Sequence, residues 1–181
     1  MELVGIAVMS LDGCLTRHDR AGTGFASKAD HAFFRAALQT FDSTLVGRRT
    51  YEASRQGMLR AREAPRLQVV LTSTPARFEG DARPERLEFR AMGVGGAVAE
   101  LTSRGRARCA LLGGTRLYTE ALERSLLDEL WVTVEPIVFG SGVRMFEGRI
   151  DGRFAFSSSE TLAGSTLLLK YRARGGGAME A

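Results

Sequence analysis

The stretch from Arg108 to Val138, RCALLGGTRLYTEALERSLLDELWVTVEPIV, carries a strand, a turn, a helix and a second strand in that order. Arg108 to Leu112 is an apolar run of strand length that stops at Gly113-Gly114. Leu117, Tyr118, Ala121, Leu122, Ser125 and Leu126 then recur at helical spacing. Leu130 to Val138 reads as a long strand. A helix between two strands is the unit from which parallel sheets are built.

The same alternation runs upstream. Leu3 to Met9 is a short apolar strand, and Cys14 to Ala26 is a polar loop. Ser27 to Phe41 is a helix on which Phe33, Phe34, Ala37, Leu38 and Phe41 form one stripe, with Ser27 as its N-cap. Ser43 to Val46 is a strand, followed by a short helix over Arg49 to Arg55. Gln68 to Leu71 and Leu87 to Arg90 read as strands, and Ala97 to Ser103 as a helix. Downstream, Phe154 to Leu162 and Thr166 to Arg172 form a closing strand pair around a turn at Ala163-Gly164. The expected fold class is α/β: a central, mostly parallel sheet with an antiparallel C-terminal edge and helices on both faces. Residues 1–174 read as one domain and 175–181, GGGAMEA, as a flexible tail.

Composition narrows the function classes. The 181 residues include 44% hydrophobic and 25% charged side chains, a globular balance. No apolar run reaches the ~18 residues of a membrane span. The N-terminus has no basic region of the kind that opens a signal peptide, so a cytoplasmic protein without a membrane partner is expected. Cys14, Cys109, His18 and His31 lack metal-ligand spacing, so no metal is expected. The net charge of +4 rests on 23 Arg and 2 Lys. These arginines are scattered rather than blocked, and no nucleic-acid partner is expected.

Open parallel sheets bind ligands at the carboxyl ends of their strands, so the turns there are the places to read for chemistry. Gly113, Gly114 and Thr115 combine close backbone approach with a helix N-terminus, a setting for pyrophosphate or a plain tight turn. Gly47, Arg48, Arg49 and Thr50 repeat the pattern with two cations and a hydroxyl. Leu71 is followed by Thr72, Ser73 and Thr74, three hydroxyls that suit a phosphate monoester or simply make a turn. A ligand with several phosphates would account for all three.

Gly47-Arg48-Arg49-Thr50-Tyr51-Glu52, Leu71-Thr72-Ser73 and Gly113-Gly114-Thr115-Arg116-Leu117-Tyr118 resemble, in order and spacing, the dihydrofolate reductase superfamily. Ser10-Leu11-Asp12-Gly13, Leu127-Asp128-Glu129-Leu130 and Pro136-Ile137-Val138-Phe139-Gly140-Ser141-Gly142 are similar to the riboflavin-biosynthesis reductase branch. The resemblance spans residues 2–172 and implies NADPH as hydride donor to a pyrimidine or pteridine-type heterocycle, such as 5-amino-6-(5-phosphoribosylamino)uracil. Its alternatives are dihydrofolate reduction proper and a non-catalytic NADPH-binding protein. It implies that Gly47, Arg48, Arg49 and Thr50 lie on the pyrophosphate and adenosine side. Leu71, Thr72, Ser73 and Thr74 then hold the ribose phosphate, and Gly113, Gly114, Thr115, Arg116 and Leu117 the pyrophosphate near the nicotinamide. On the substrate side it implies Ser10, Phe25, Arg66, Thr133 and Glu135, with Asp12 and Asp30 as catalytic candidates. Asp12 can equally stabilise its turn, and Asp30 can equally be an ordinary acid of a helix start. Thr133 and Glu135 share one strand face. The residue before Gly-Gly, often Glu in the riboflavin branch, is Leu112 here, as in dihydrofolate-type chains. The loop from Cys14 to Ala26 is expected to act as a lid, and family habit implies a homodimer.

Overall fold

A computed structural model describes residues 1–60 and 66–174. The expected tail, 175–181, lies outside them. Among the described residues eight strands form one sheet: β1 (Glu2–Ser10), β2 (Ser43–Gly47), β3 (Leu67–Leu71), β4 (Leu87–Arg90), β5 (Arg108–Leu111), β6 (Glu129–Glu135), β7 (Phe154–Thr161) and β8 (Leu167–Ala173). Their spatial order is β4-β3-β2-β5-β1-β6-β8-β7. Every neighbouring pair from β4 to β6 is parallel. β8 pairs antiparallel with both β6 and β7, giving the expected edge.

The strands in the middle are covered on both faces, which is why they read as continuous apolar runs. One face carries α1 (Lys28–Leu38) and α2 (Arg48–Arg60). Ala37, Leu38 and the following Phe41 pack there on Val4, Ile6, Ala110 and Trp131, and Tyr51 packs on Val46, Val70 and Phe89. The other face carries α3 (Val94–Ser103) and α4 (Thr115–Glu123). Val94, Ala97, Leu101, Tyr118 and Ala121 meet Leu3, Leu45, Val69 and Leu111 there.

The structure departs from the expected elements at β6, α2 and α3 and adds a 3-10 helix. The last long strand ends at Glu135 rather than Val138, because Pro136 cannot donate to a ladder in which β6 has neighbours on both sides. The helix placed at Arg49 to Arg55 runs on to Arg60. The helix placed at Ala97 starts at Val94, through Gly95 and Gly96, with Glu120 Oε1 accepting from the Val94 amide at 3.0 Å in place of a side-chain cap. A 3-10 helix over Pro75–Asp81 carries no apolar stripe, so periodicity did not predict it. It is held by Asp81, whose carboxylate accepts from the Tyr51 hydroxyl and from Arg55 Nε and Nη2, each at 2.6 Å.

Candidate functional site

The parallel strands β1 to β6 all end on one rim, which brings the candidate turns together. At the centre, the Gly47 amide donates to the Gly113 carbonyl at 2.6 Å. Gly113 has φ +102°, a backbone region that glycine enters freely. A Cβ on Gly47 would lie 3.2 Å from the Gly114 nitrogen, and one on Gly113 would lie 3.2 Å from the Tyr118 ring. Thr50 Oγ1 faces both Gly113 and Gly114, 3.6 Å from where their Cβ atoms would stand. The N-termini of α2 and α4 therefore meet across three bare glycines and one hydroxyl. That is a fitting cradle for a pyrophosphate, which needs close backbone approach and the positive ends of helices. Leu117 lines it from α4, with Cδ1 3.5 Å from the position of a Gly47 Cβ.

One strand further out, β3 places Leu71 beside Gly47. Thr72 is buried, and its Oγ1 accepts from the Thr74 amide at 3.2 Å, while Ser73 and Thr74 stand exposed. Arg48 pairs with Glu52 at 3.5 Å, and each of the two side chains is about two-fifths exposed. Such a surface pair is weakly held, and its guanidinium is free to turn toward an anion. Arg49 and Arg116 are exposed beside it. The Thr115 hydroxyl turns away from the glycines and donates to the Arg144 carbonyl at 2.5 Å.

The other half of the rim lies at the ends of β1 and β6, where the register sets Val8 beside Thr133 and Ser10 beside Glu135. Asp30, in the first turn of α1, is 6% exposed, and its Oδ1 accepts from the Thr133 hydroxyl. Burial pushes its carboxyl above the ordinary 3.8; the Thr133 bond and His31 oppose the rise, and the charge of Glu135 adds to it. Glu135 is 2% exposed, and both its oxygens are occupied. Oε1 accepts from the Ser27 amide and Oε2 from the Thr166 hydroxyl, each at 2.8 Å. Thr166, at the entry to β8, was not among the sequence candidates. It lies 31 residues from Glu135 and 139 from Ser27, and no local signal marks it.

Asp12 sits at the same rim in a different role. Oδ1 accepts from the Ser10 hydroxyl at 2.6 Å and the Phe139 amide at 3.2 Å, and Oδ2 from the Gly140 amide at 2.7 Å. The Ser10 bond above all holds its carboxyl at about 2; burial, next in size, opposes the lowering, and the Gly140 and Phe139 amides add to it. It clasps the turn after β1 to the loop after β6. The clasp continues through Leu15 to Val143, His18 to Ser141, and Phe25 edge-on to Phe139 with ring centres 5.0 Å apart. The first half of the expected lid is thus laced to residues 139–143. Arg66 precedes β3, roughly 16 Å of strand from the rim, and its Nη1 donates to the Leu38 carbonyl at 3.3 Å. Arg66 is not brought to the cluster. Among the described residues no group of acids, histidines and cysteines could hold a metal ion, and no helix is long and apolar enough to cross a membrane.

The rim thus joins an anion cradle to a buried carboxyl and hydroxyl pair, one side suited to a dinucleotide and the other to a polar heterocycle. Known proteins share this frame. A dihydrofolate reductase from Enterococcus faecalis, complexed with NADP(H), superposes with a TM-score of 0.68 at 18% identity over 95% of this chain and 96% of its own. A diaminohydroxyphosphoribosylaminopyrimidine deaminase/5-amino-6-(5-phosphoribosylamino)uracil reductase from Thermotoga maritima superposes at 0.76 with 17% identity. It is matched over 96% of this chain but only 56% of its own length. The uncharacterized protein YwjB of Bacillus subtilis is 26% identical over 141 residues, which is 76% of this chain and 78% of that protein. Residues 4–168 match the model of the RibD C-terminal domain; the fold is dihydrofolate-reductase-like, and the chain belongs to the RibD C-terminal domain family.

Proposed function

We propose that this protein is an NADPH-dependent reductase that passes hydride to a pyrimidine or pteridine-type heterocycle, 5-amino-6-(5-phosphoribosylamino)uracil being the first substrate to try. The observation that carries the reading is the meeting of the Gly47 turn with Gly113-Gly114 at 2.6 Å, one strand pair away from the buried Asp30 and Thr133. Gly47, Thr50, Gly113, Gly114 and Leu117 would hold the pyrophosphate. Arg48, Arg49 and Arg116 would supply countercharge, and Thr72, Ser73 and Thr74 the site for a ribose phosphate. The bound nicotinamide supplies the hydride.

The chain's own residues do the rest. Asp30 holds a proton at the substrate side and meets a ring nitrogen, while Thr133 orients its carboxyl. Asp12 and Ser10 keep the turn after β1 closed beside the substrate, and Phe25 with Phe139 walls it. Dihydrofolate is the second substrate to try, because a buried carboxyl bonded to a threonine suits a protonated pteridine. The reading includes a cytoplasmic homodimer that acts on small molecules. The test is NADPH oxidation with both substrates in parallel and NADH as control. Absence of any NADPH preference in binding would overturn the cofactor assignment, and turnover of neither substrate would overturn the reaction.

A further inference from the structure

We infer that Glu135 is a positioning residue, which together with Thr166 and Ser27 sets where Asp30 stands against Thr133; this rests on the reading of Asp30 as the substrate-side acid. The hydrogen bonds run in one direction. The Asp30 amide donates to Ser27 Oγ at 3.1 Å. Thr166 has given its own proton to Glu135 Oε2 at 2.8 Å, so in the 3.1 Å contact the Ser27 hydroxyl donates to Thr166 Oγ1. The Ser27 amide closes the ring on Glu135 Oε1 at 2.8 Å. The two donors take one carboxyl oxygen each, and an amide in this place would turn an N–H group toward one of them.

Three elements are tied by this ring: the N-cap of α1, the last residue of β6 and the entry of β8. Asp30 lies three residues into the capped turn, and Thr133, which bonds its carboxyl, lies two residues before Glu135 on the same buried face. The charged groups that act on Asp30 are Glu135 from β6 and His31 from its own helix, with opposite effects. Each Glu135 oxygen already accepts from a protein donor, and the side chain is buried.

The test uses the full chain and three variants, Glu135→Gln, Thr166→Val and Thr166→Ser, with the Asp30 carboxyl followed by 13C NMR titration and assigned by Asp30→Asn. Removal of a neighbouring negative charge should move the Asp30 midpoint down in Glu135→Gln. Thr166→Val should lower kcat about tenfold with the KM for NADPH unchanged, as expected when orientation alone is lost, and Thr166→Ser should recover that loss. An Asp30 midpoint that stays or rises in Glu135→Gln, or a Thr166→Val enzyme that loses only thermal stability, overturns the inference. If wild-type protein oxidises no NADPH, the reductase reading falls, while the titration still decides the role of Glu135.

Discussion

Replacing Tyr51 with phenylalanine removes a single hydroxyl, the one that joins the start of α2 to Asp81. Tyr51, in the first turn of α2, is 0% exposed and packs edge-on against Phe78 and Phe89. Its hydroxyl donates to Asp81 Oδ2 at 2.6 Å and so ties α2 to the 3-10 helix that follows the Thr72 turn. Burial first, and the bond to Asp81 second, push the phenol from 10.0 to about 12. A phenol held protonated in the folded chain adds stability that is fully present below pH 10 and lost as the pH rises toward 12. At 1.36 kcal/mol per unit, that shift corresponds to ~3 kcal/mol. At neutral pH, Tyr51→Phe should cost ~2 kcal/mol, typical of a hydrogen bond to a charged acceptor. In a chain of this size the melting temperature should then fall by ~4–8 °C. Urea unfolding followed by circular dichroism, at neutral pH and in steps up to pH 12, measures both effects. The stability gap between wild type and variant should narrow as the pH rises. A neutral gap below ~0.5 kcal/mol, the size of an ordinary surface substitution, or a gap that stays constant with pH, would refute the account of this clamp.

Three further outcomes follow from the site. Gly47→Ala should weaken NADPH binding by about tenfold or more, since a Cβ there stands 3.2 Å from the Gly114 nitrogen and blocks the helix ends; fluorescence titration measures it. Ser73→Ala with Thr74→Ala should bring the Kd for NADPH toward that for NADH, because exposed hydroxyls at this turn would bond only the extra phosphate; titration of both cofactors checks the ratio. Asp30→Asn should lower kcat by ~10²-fold or more while NADPH still binds. In wild type, kcat should fall as the pH rises through the Asp30 midpoint, which burial places above 3.8, and a stopped-flow pH series would follow it.

Much of the fold is legible locally. Leu3–Met9 and Gln68–Leu71 sit in strands, as apolar runs of strand length bounded by turn residues suggest, and Leu87–Arg90 forms a further short strand. The glycine turns at Gly47 and Gly113 are legible for the same reason, since a strand that stops at glycine before a helical stripe implies a close approach. Pro136 could have been read as the end of β6 from its missing donor alone.

What the sequence by itself determined was the alternation of strands and helices, the antiparallel end and the glycine and hydroxyl turns at the strand ends, all properties of short windows. Tertiary structure alone decided the strand order β4-β3-β2-β5-β1-β6-β8-β7, which sets Gly47 against Gly113 across 66 residues of chain. It also decided which polar groups are buried together. Tyr51 finds Asp81, Asp30 finds Thr133, and Glu135 finds Ser27 and Thr166. A buried polar atom must be paired, but any donor within reach will do. Its partner is therefore chosen by the packing of distant elements, and no spacing along the chain records that choice.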